Sequence, residues 1–320
     1  MPGKIHVAIL YGGRSGEHEI SLRSAESVLA AMDPAKYTVM KIFIDPDGRW
    51  HPKPLLPEPG ANPGIDVVFP VLHGTFGEDG TVQGLLELAD LPYVGAGVLA
   101  SAASMDKELM KRLCRERGLP VVEYVVGGNG ELPFAYPVFV KPANLGSSVG
   151  ISKARDRDQL CEALRLARQY DRKVIVERAI EGRELECSVL GNDDPRASLP
   201  CEILPSREFY DYEDKYLLEA ARTVVPADLE AARIEEVRRL AVACYRAVEC
   251  EGMARVDFLL ESATGRLYIN EINTIPGFTS ISMYPRMWEA TGLAYPALVD
   301  RLIELARERY QARSAIRYRR

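Results

Sequence analysis

The chain has 320 residues, of which 47% are apolar and 27% charged, and a net charge of −6. That length exceeds a typical single core and predicts two or three domains. The acidic balance excludes a broad basic field for nucleic acid, and no apolar run in the sequence reaches the roughly 20 residues a membrane span needs.

"IHVAIL" (5–10) predicts a first strand and is too short for a signal-peptide core. A helix over 21–32, a strand over 37–44, a buried strand over 66–72 and a helix over 81–89 follow, which is the βαβ rhythm of a parallel sheet. The loops "YGGRSGEHE" and "HGTFGEDG" come after strands, where ligands sit in such folds. Residues 53–64, "KPLLPEPGANPG", predict a surface loop. A second unit begins near Ser101 with a helix over 104–117, Ser104 as its N-cap and Gly118 closing it. Strands "PVFVK" and "KVIVE" flank a helix over 156–170. A third unit holds the strand "RELECSVLG", a tyrosine-rich acidic loop (206–222), a helix (228–250), a hairpin (253–273) and a closing helix from Pro296. The six cysteines are scattered without a C-x-x-C pair, which argues against a zinc site or a disulfide framework and fits a reducing cytosol.

"VKPANLGSSVGISKA" (140–154) carries the first chemical signal. Its lysine precedes the glycines and an extended stretch follows, so it is neither a Walker A loop nor a dinucleotide fingerprint. It reads as a flap between two strands whose backbone N–H groups at Gly146, Ser147 and Ser148 can close over a polyphosphate, with Lys141 neutralising charge. A plain hairpin turn with a surface lysine is the competing reading.

The late hairpin is more telling. Residues two apart on a strand share a face, so Arg255 pairs with Asp257 and Glu271 with Asn273. A three-residue loop Ala263–Thr264–Gly265 would set Asp257 opposite Glu271 and Arg255 opposite Asn273. Two carboxylates and an amide oxygen on one face suit Mg²⁺ or Mn²⁺. A salt-bridged cluster around Arg255 is the alternative. Glu177 and Glu184 are candidates for adenosine, and Lys107 is a second candidate phosphate lysine.

These motifs together, with "MDK" (105–107), "EGRELE" (181–186), "ARVDF" (254–258) and "NEINTIPGFTSIS" (270–282), resemble the ATP-grasp carboxylate–amine ligases. "LYGGRSGEHEISLRSA" (10–25), "VLHGTFGEDGTVQGLLE" (71–87) and "YDYEDKY" (210–216) narrow the resemblance to the D-alanine–D-alanine ligase family. It covers nearly the whole chain in the expected order. The resemblance implies an α/β fold, α+β in part: the ATP-grasp fold with a parallel-sheet N-terminal domain (1–102), a central domain with the flap (103–182) and a C-terminal domain (183–320), the last two sandwiching ATP. It implies that ATP phosphorylates the carboxylate of one D-alanine and that the amine of a second attacks the acyl phosphate.

Carried over by resemblance, Lys107 and Lys141 hold phosphates beneath Ser147 and Ser148. Glu177, the Ile180 backbone and Glu184 hold adenosine, and Asp257, Glu271 and Asn273 hold two Mg²⁺ (or Mn²⁺) ions. Glu17 binds the ammonium of the first D-alanine with His73 close by, and Arg255 and the Gly277 N–H form the oxyanion site. Lys215 meets the γ-phosphate, Ser282 and the Met283 backbone hold the second carboxylate, and Tyr216 bridges through Ser148 to Glu17. Tyrosine at 216 favours an amine acceptor. The resemblance also implies a cytoplasmic homodimer with D-alanine and ATP as its partners, and neither nucleic acid nor membrane. The competing readings are a related ligase using D-lactate or D-serine, and a catalytically silent nucleotide-binding module.

Overall fold

The computed structural model describes residues 3–128, 130–204 and 222–317. The loop motif containing Lys215 and Tyr216 therefore lies outside the described residues, so the roles expected there stay expectations.

Three sheets organise the chain. The first has the order β3-β2-β1-β4, with β1 (Ile5–Gly12) parallel to β2 (Tyr37–Ile44) and to β4 (Val67–Val71), and the short β3 (Trp50–His51) antiparallel at the edge. Strand β1 is apolar on both faces because both are covered. Val7 and Ile9 pack toward Val28 of helix α1 (His18–Ala31), whereas Ala8 and Leu10 pack toward Val82 and Leu86 of α2 (Thr81–Leu88). Within the expected surface loop at 53–64, Leu55 is buried in that second core.

Helices α3 (Val98–Met105) and α4 (Lys107–Glu116) lead into an antiparallel sheet of order β5-β8-β6-β7, made of Tyr124–Val126, Val174–Arg178, Val138–Pro142 and Ser152–Ala154. Ser104 is not the cap of α4. It belongs to α3, and Asp106 caps α4 by accepting from the Glu108 and Leu109 N–H groups. Asp106 takes the role because its extended backbone ends one helix and starts the next. Helix α5 (Arg157–Ala167) covers this sheet through Leu160, Ala163 and Leu164.

The third sheet is antiparallel: β9 (Gly182–Leu190), β10 (Arg196–Ala197), β11 (Cys201–Leu204), β12 (Arg222–Val224), β13 (Met253–Glu261) and β14 (Leu267–Asn273), in the order β12-β11-β9-β13-β14 with β10 on β9. Its apolar face, with Leu185, Cys187, Val189, Ala254, Val256 and Phe258, packs on helix α6 (Ala231–Ala247). The chain closes with α7 (Met283–Ala290), which the sequence pattern did not predict, and α8 (Tyr295–Ser314). Leu298, Val299 and Leu302 of α8 join the core of the first sheet, so the last helix folds back onto the first strands.

Candidate active site

The period of two that buries Leu185, Cys187 and Val189 turns Glu184, Glu186 and Ser188 to the opposite face. The neighbouring register then sets Asp257 opposite Glu186 on one side and opposite Glu271 on the other. Three carboxylates thus form a row across β9, β13 and β14. The pairing of Asp257 with Glu271 and of Arg255 with Asn273 is the expected one, but its cause differs. The hairpin end pairs Leu260 with Leu267, and Glu261 N–H donates to the Arg266 carbonyl, so the loop is Ser262–Gly265, one residue longer than expected. A bulge at Asn270, between the Asp257–Glu271 and Phe258–Ile269 pairs, shifts the register by one residue and restores the shared face.

Arg255 grips this row. Its Nε and Nη2 donate to Asp257 Oδ1 and Oδ2, each at 2.7 Å, and Nε lies 3.3 Å from Glu186 Oε2. Burial opposes its charge, but Asp257 and Glu186 hold its pKa well above the usual value. Asn273 Nδ2 donates to Asp257 Oδ2 at 3.1 Å, and Lys107 Nζ stands 3.2 Å from Glu271 Oε2. The salt-bridged cluster and the face of oxygen ligands are therefore the same residues. Among the described residues, no group of three or more His, Cys, Asp or Glu side chains encloses a metal on its own.

A cleft of about 110 Å³ lies over this row, lined among others by Lys107, Lys141, Ser147, Ser148 and Glu184. Its roof is the flap between β6 and β7. Ser147 and Ser148 both have positive φ, 52° and 59°, a pair of left-handed residues that brings the turn down. Lys107 Nζ donates to the Leu145 carbonyl at 2.7 Å, and Ser147 Oγ donates to Glu17 Oε1 at 2.5 Å. Ser148 was expected to carry a bridge from Tyr216 to Glu17; Tyr216 lies outside the described residues, and among the described residues Ser147 reaches the Glu17 carboxylate. Glu17 stands at the N-cap of α1 without capping it, since its carboxylate is taken by the flap.

Beneath the cleft, Glu177 is 2% exposed and lies between two lysines, with Lys111 Nζ 2.8 Å from Oε1 and Lys141 Nζ 2.6 Å from Oε2. Burial pushes its carboxyl up, but the two ammonium groups overcome that and hold it at about 2. Lys141 is held protonated, since Glu177 outweighs the cost of its burial. Ile180 lies half-buried in the turn between β8 and β9.

The far wall joins the first sheet to the turn after β14. His73 Nδ1 donates to the Ile275 carbonyl at 3.0 Å, Ser24 Oγ donates to His73 Nε2 at 3.0 Å, and Phe278 N–H donates to Ser24 Oγ at 3.2 Å. A carbonyl only accepts, which fixes the proton on Nδ1 and leaves Nε2 as acceptor. Both ring nitrogens are used internally, and burial lowers the His73 pKa, so the ring is a neutral clamp on the turn. Glu78 adds a second clamp by accepting from Gly74 N–H at 2.7 Å and Ile275 N–H at 3.1 Å. Burial, with Glu17 nearby, raises its pKa to about 8. Gly277 sits on the clamped turn, where a Cβ would come within 2.8 Å of Ser282 Oγ. Ser282 Oγ in turn accepts from Thr279 N–H at 2.9 Å, and Met283 opens α7 beside it.

Sequence reasoning missed Ser24, Glu78, Lys111, Glu186 and Asn270. Glu186 was findable, two residues after Glu184 on one strand, and Lys111 stands one turn after Lys107 on one helix face. Asn270 gave no signal, because a bulge is not written in the alternation.

Two family models match the chain: "D-ala D-ala ligase N-terminus" over residues 6–62 and 56–96, and "D-ala D-ala ligase C-terminus" over residues 113–304. The chain is 69% identical to a D-alanine–D-alanine ligase of Solibacter usitatus, over 99% of this chain and all of that one. Among solved structures it is similar to the D-alanine-D-alanine ligase of Coxiella burnetii (39% identity, TM-score 0.86, 97% of this chain and 96% of that one). It is likewise similar to the VanG D-Ala:D-Ser ligase of Enterococcus faecalis (34% identity, TM-score 0.87, 95% and 100%). Matched by both family models and by a relative 69% identical over nearly the whole chain, the chain belongs to the D-alanine–D-alanine ligase family.

Proposed function

We propose that this protein joins two D-alanine molecules into D-alanyl-D-alanine at the expense of ATP, for peptidoglycan precursor synthesis. The observation that carries the reading is the carboxylate row Glu186–Asp257–Glu271 beneath a flap pinned between Lys107 and Glu17. A free carboxylate resists attack by an amine because oxide would have to leave. Transfer of the γ-phosphoryl group makes an acyl phosphate, and phosphate then leaves from the tetrahedral intermediate.

The chain's own groups divide this work. Lys107 and Lys141 receive the phosphates, the Ser147–Ser148 flap excludes water, and the Ile180 backbone and Glu184 meet adenosine, while Glu177, buried beneath the cleft with an oxygen against each of two lysines, acts through Lys141. Glu17 takes the ammonium of the first substrate. Arg255 and the Gly277 N–H stabilise the oxyanion, where charge develops. Ser282 and the Met283 backbone receive the carboxylate of the second substrate. His73 acts by holding the turn that carries Gly277, since neither ring nitrogen is left for substrate.

The donor set fits divalent cations. Among the described residues Glu184, Glu186, Asp257 and Glu271 face Lys107, Lys141 and Arg255, a set that is not net positive and suits a polyanion that arrives with cations. Asp257, Glu271 and Asn273 offer oxygen ligands in small number, which suits Mg²⁺ completed by phosphate and water. Two such ions would clamp the transferring phosphoryl group and neutralise its charge.

The three sheets support a division into domains at 1–102, 103–182 and 183–320, although Met110 and Cys114 of α4 pack in the core of the third sheet. Among the described residues no helix is long and apolar enough to cross a membrane. A cytoplasmic homodimer is the reading the family likeness supports, and sedimentation of the purified chain tests the dimer. The function itself is tested by ADP release with ATP, Mg²⁺ and each acceptor. Release with D-alanine alone is the expected result; turnover with D-lactate or D-serine but not D-alanine would replace it with the related ligase. ATP binding with no release would leave a silent nucleotide-binding module.

A further inference from the structure

Lys111 has no exposed surface; burial lowers its pKa, and the Glu177 carboxylate beside it opposes that. Its Nζ faces Glu177 Oε1 at 2.8 Å and donates to the Asn270 carbonyl at 3.1 Å. Lys141 faces the other oxygen of Glu177 at 2.6 Å and donates to Asn270 Oδ1 at 3.2 Å. One carboxylate is thus shared by two lysines, and the bulged Asn270 ties both together, one through its backbone and the other through its side chain. Of the three charges only Lys141 lines the cleft.

Burying three charges is costly, and a single Lys141–Glu177 pair would bury fewer. Such a pair would be neutral, however, and with a carboxylate 2.6 Å away the field of Lys141 in the cleft would be largely cancelled. Lys111 occupies the opposite oxygen and balances Glu177 from behind. The triad then keeps one positive charge, at its cleft-facing end.

We propose that Lys111 is a positioning residue that acts through Glu177, leaving the charge of Lys141 uncompensated for the phosphates of ATP. This role rests on the cleft being the ATP site, as proposed above. It assigns Lys111 no contact with nucleotide and makes the effect one of charge count: one positive for the parent triad, none for Lys111→Met, and one again for Lys111→Met combined with Glu177→Gln.

The test is equilibrium binding of ATP and of adenosine to the full chain, with Mg²⁺ throughout, for the parent, the two single variants and the double variant. Adenosine has the same base and sugar but no phosphate, so the ratio of the two affinities isolates the phosphate end. The preference for ATP is expected to fall about tenfold or more in Lys111→Met and to return to within about threefold of the parent in the double variant. A merely structural lysine predicts the reverse for the second step, since the double change disturbs the buried site further. An unchanged preference in Lys111→Met, or no recovery in the double variant, overturns the role. Should Lys111→Met not fold, Glu177→Gln alone decides: its preference for ATP must be no lower than the parent's. A parent that does not prefer ATP over adenosine would instead overturn the ATP reading of the cleft, before any variant is considered.

Discussion

At one wall of the cleft, Ser24, His73 and the 275–278 turn are joined by hydrogen bonds between neutral groups; beneath its floor, Lys111, Lys141 and Glu177 are joined by full charges. Both clusters are buried, and both bring together residues distant in the chain. The neutral ring satisfies every donor and acceptor it uses and leaves no field behind, so it can only fix geometry. The charged triad keeps a net positive charge, so it can attract a polyanion. In the proposed reaction the wall places the developing oxyanion and is built the first way, while the floor lies under the phosphates and is built the second.

Arg255 lies between the two, bonded to Asp257 and Glu186 and felt electrostatically by both His73 and Glu78. Its removal tests the contrast most severely. Arg255→Ala is expected to lower kcat by about a hundredfold or more, the loss of roughly 3 kcal/mol of oxyanion stabilisation, while the KM for ATP moves little. Steady-state kinetics with each substrate varied in turn would show this. A variant that lost ATP affinity and kept its turnover would place Arg255 with the phosphates instead.

The wall is neutral only while Glu78 keeps its proton. Burial raises its pKa from 4.5 to about 8, so the folded state holds this proton more tightly than the unfolded chain does. The contribution to stability is therefore fully present below about pH 4.5 and is lost as pH rises toward 8. Glu78→Gln cannot ionise. Its stability relative to the parent is expected to rise across that window by about 2 to 4 kcal/mol, read from urea denaturation at several pH values. A difference that stays flat from pH 5 to pH 8 would mean that Glu78 is ionised in the folded protein and that the wall is charged.

Ser24→Ala removes the donor to His73 Nε2 and the acceptor of Phe278 N–H together. Two unmet buried groups should cost about 1 to 3 kcal/mol of stability. A fall in kcat at an unchanged KM for ATP is expected alongside, because Gly277 rides on the released turn. An increase in the KM for ATP with kcat preserved would show the two clusters to be one.

The smallest effect is expected at the flap. Ser147→Ala breaks one hydrogen bond to Glu17, worth about 0.5 to 1.5 kcal/mol, so the KM for the first D-alanine should rise by up to roughly tenfold. Ser148→Ala is expected to change it less, and the opposite ranking would return the bridge to Ser148.

Much of this arrangement was legible in the chain itself. The alternation at Glu184 to Val189, and the pairs Arg255–Asp257 and Glu271–Asn273, place their polar groups on one face whatever the fold, because successive strand residues point to opposite sides. The flap announced itself as glycine and serine between two strands. The cap of α4 was misplaced by two residues, since a serine pattern cannot show that a preceding helix already occupies Ser104. Acceptor choice was not legible in the fold either: the chain superimposes as well on a D-Ala:D-Ser ligase as on a D-alanine-D-alanine ligase.

The sequence by itself determined the strand faces, the place of Lys107 in the first turn of a helix and of Lys141 near the end of a strand, and the order of the motifs, because each depends on spacing within a single element. Only the tertiary structure decided that Asn270 bulges, that Ser147 meets Glu17, and that Lys111 stands behind Glu177. Each of these depends on two or more segments far apart in the chain coming within hydrogen-bonding distance, and local periodicity carries no record of where a distant segment will pack.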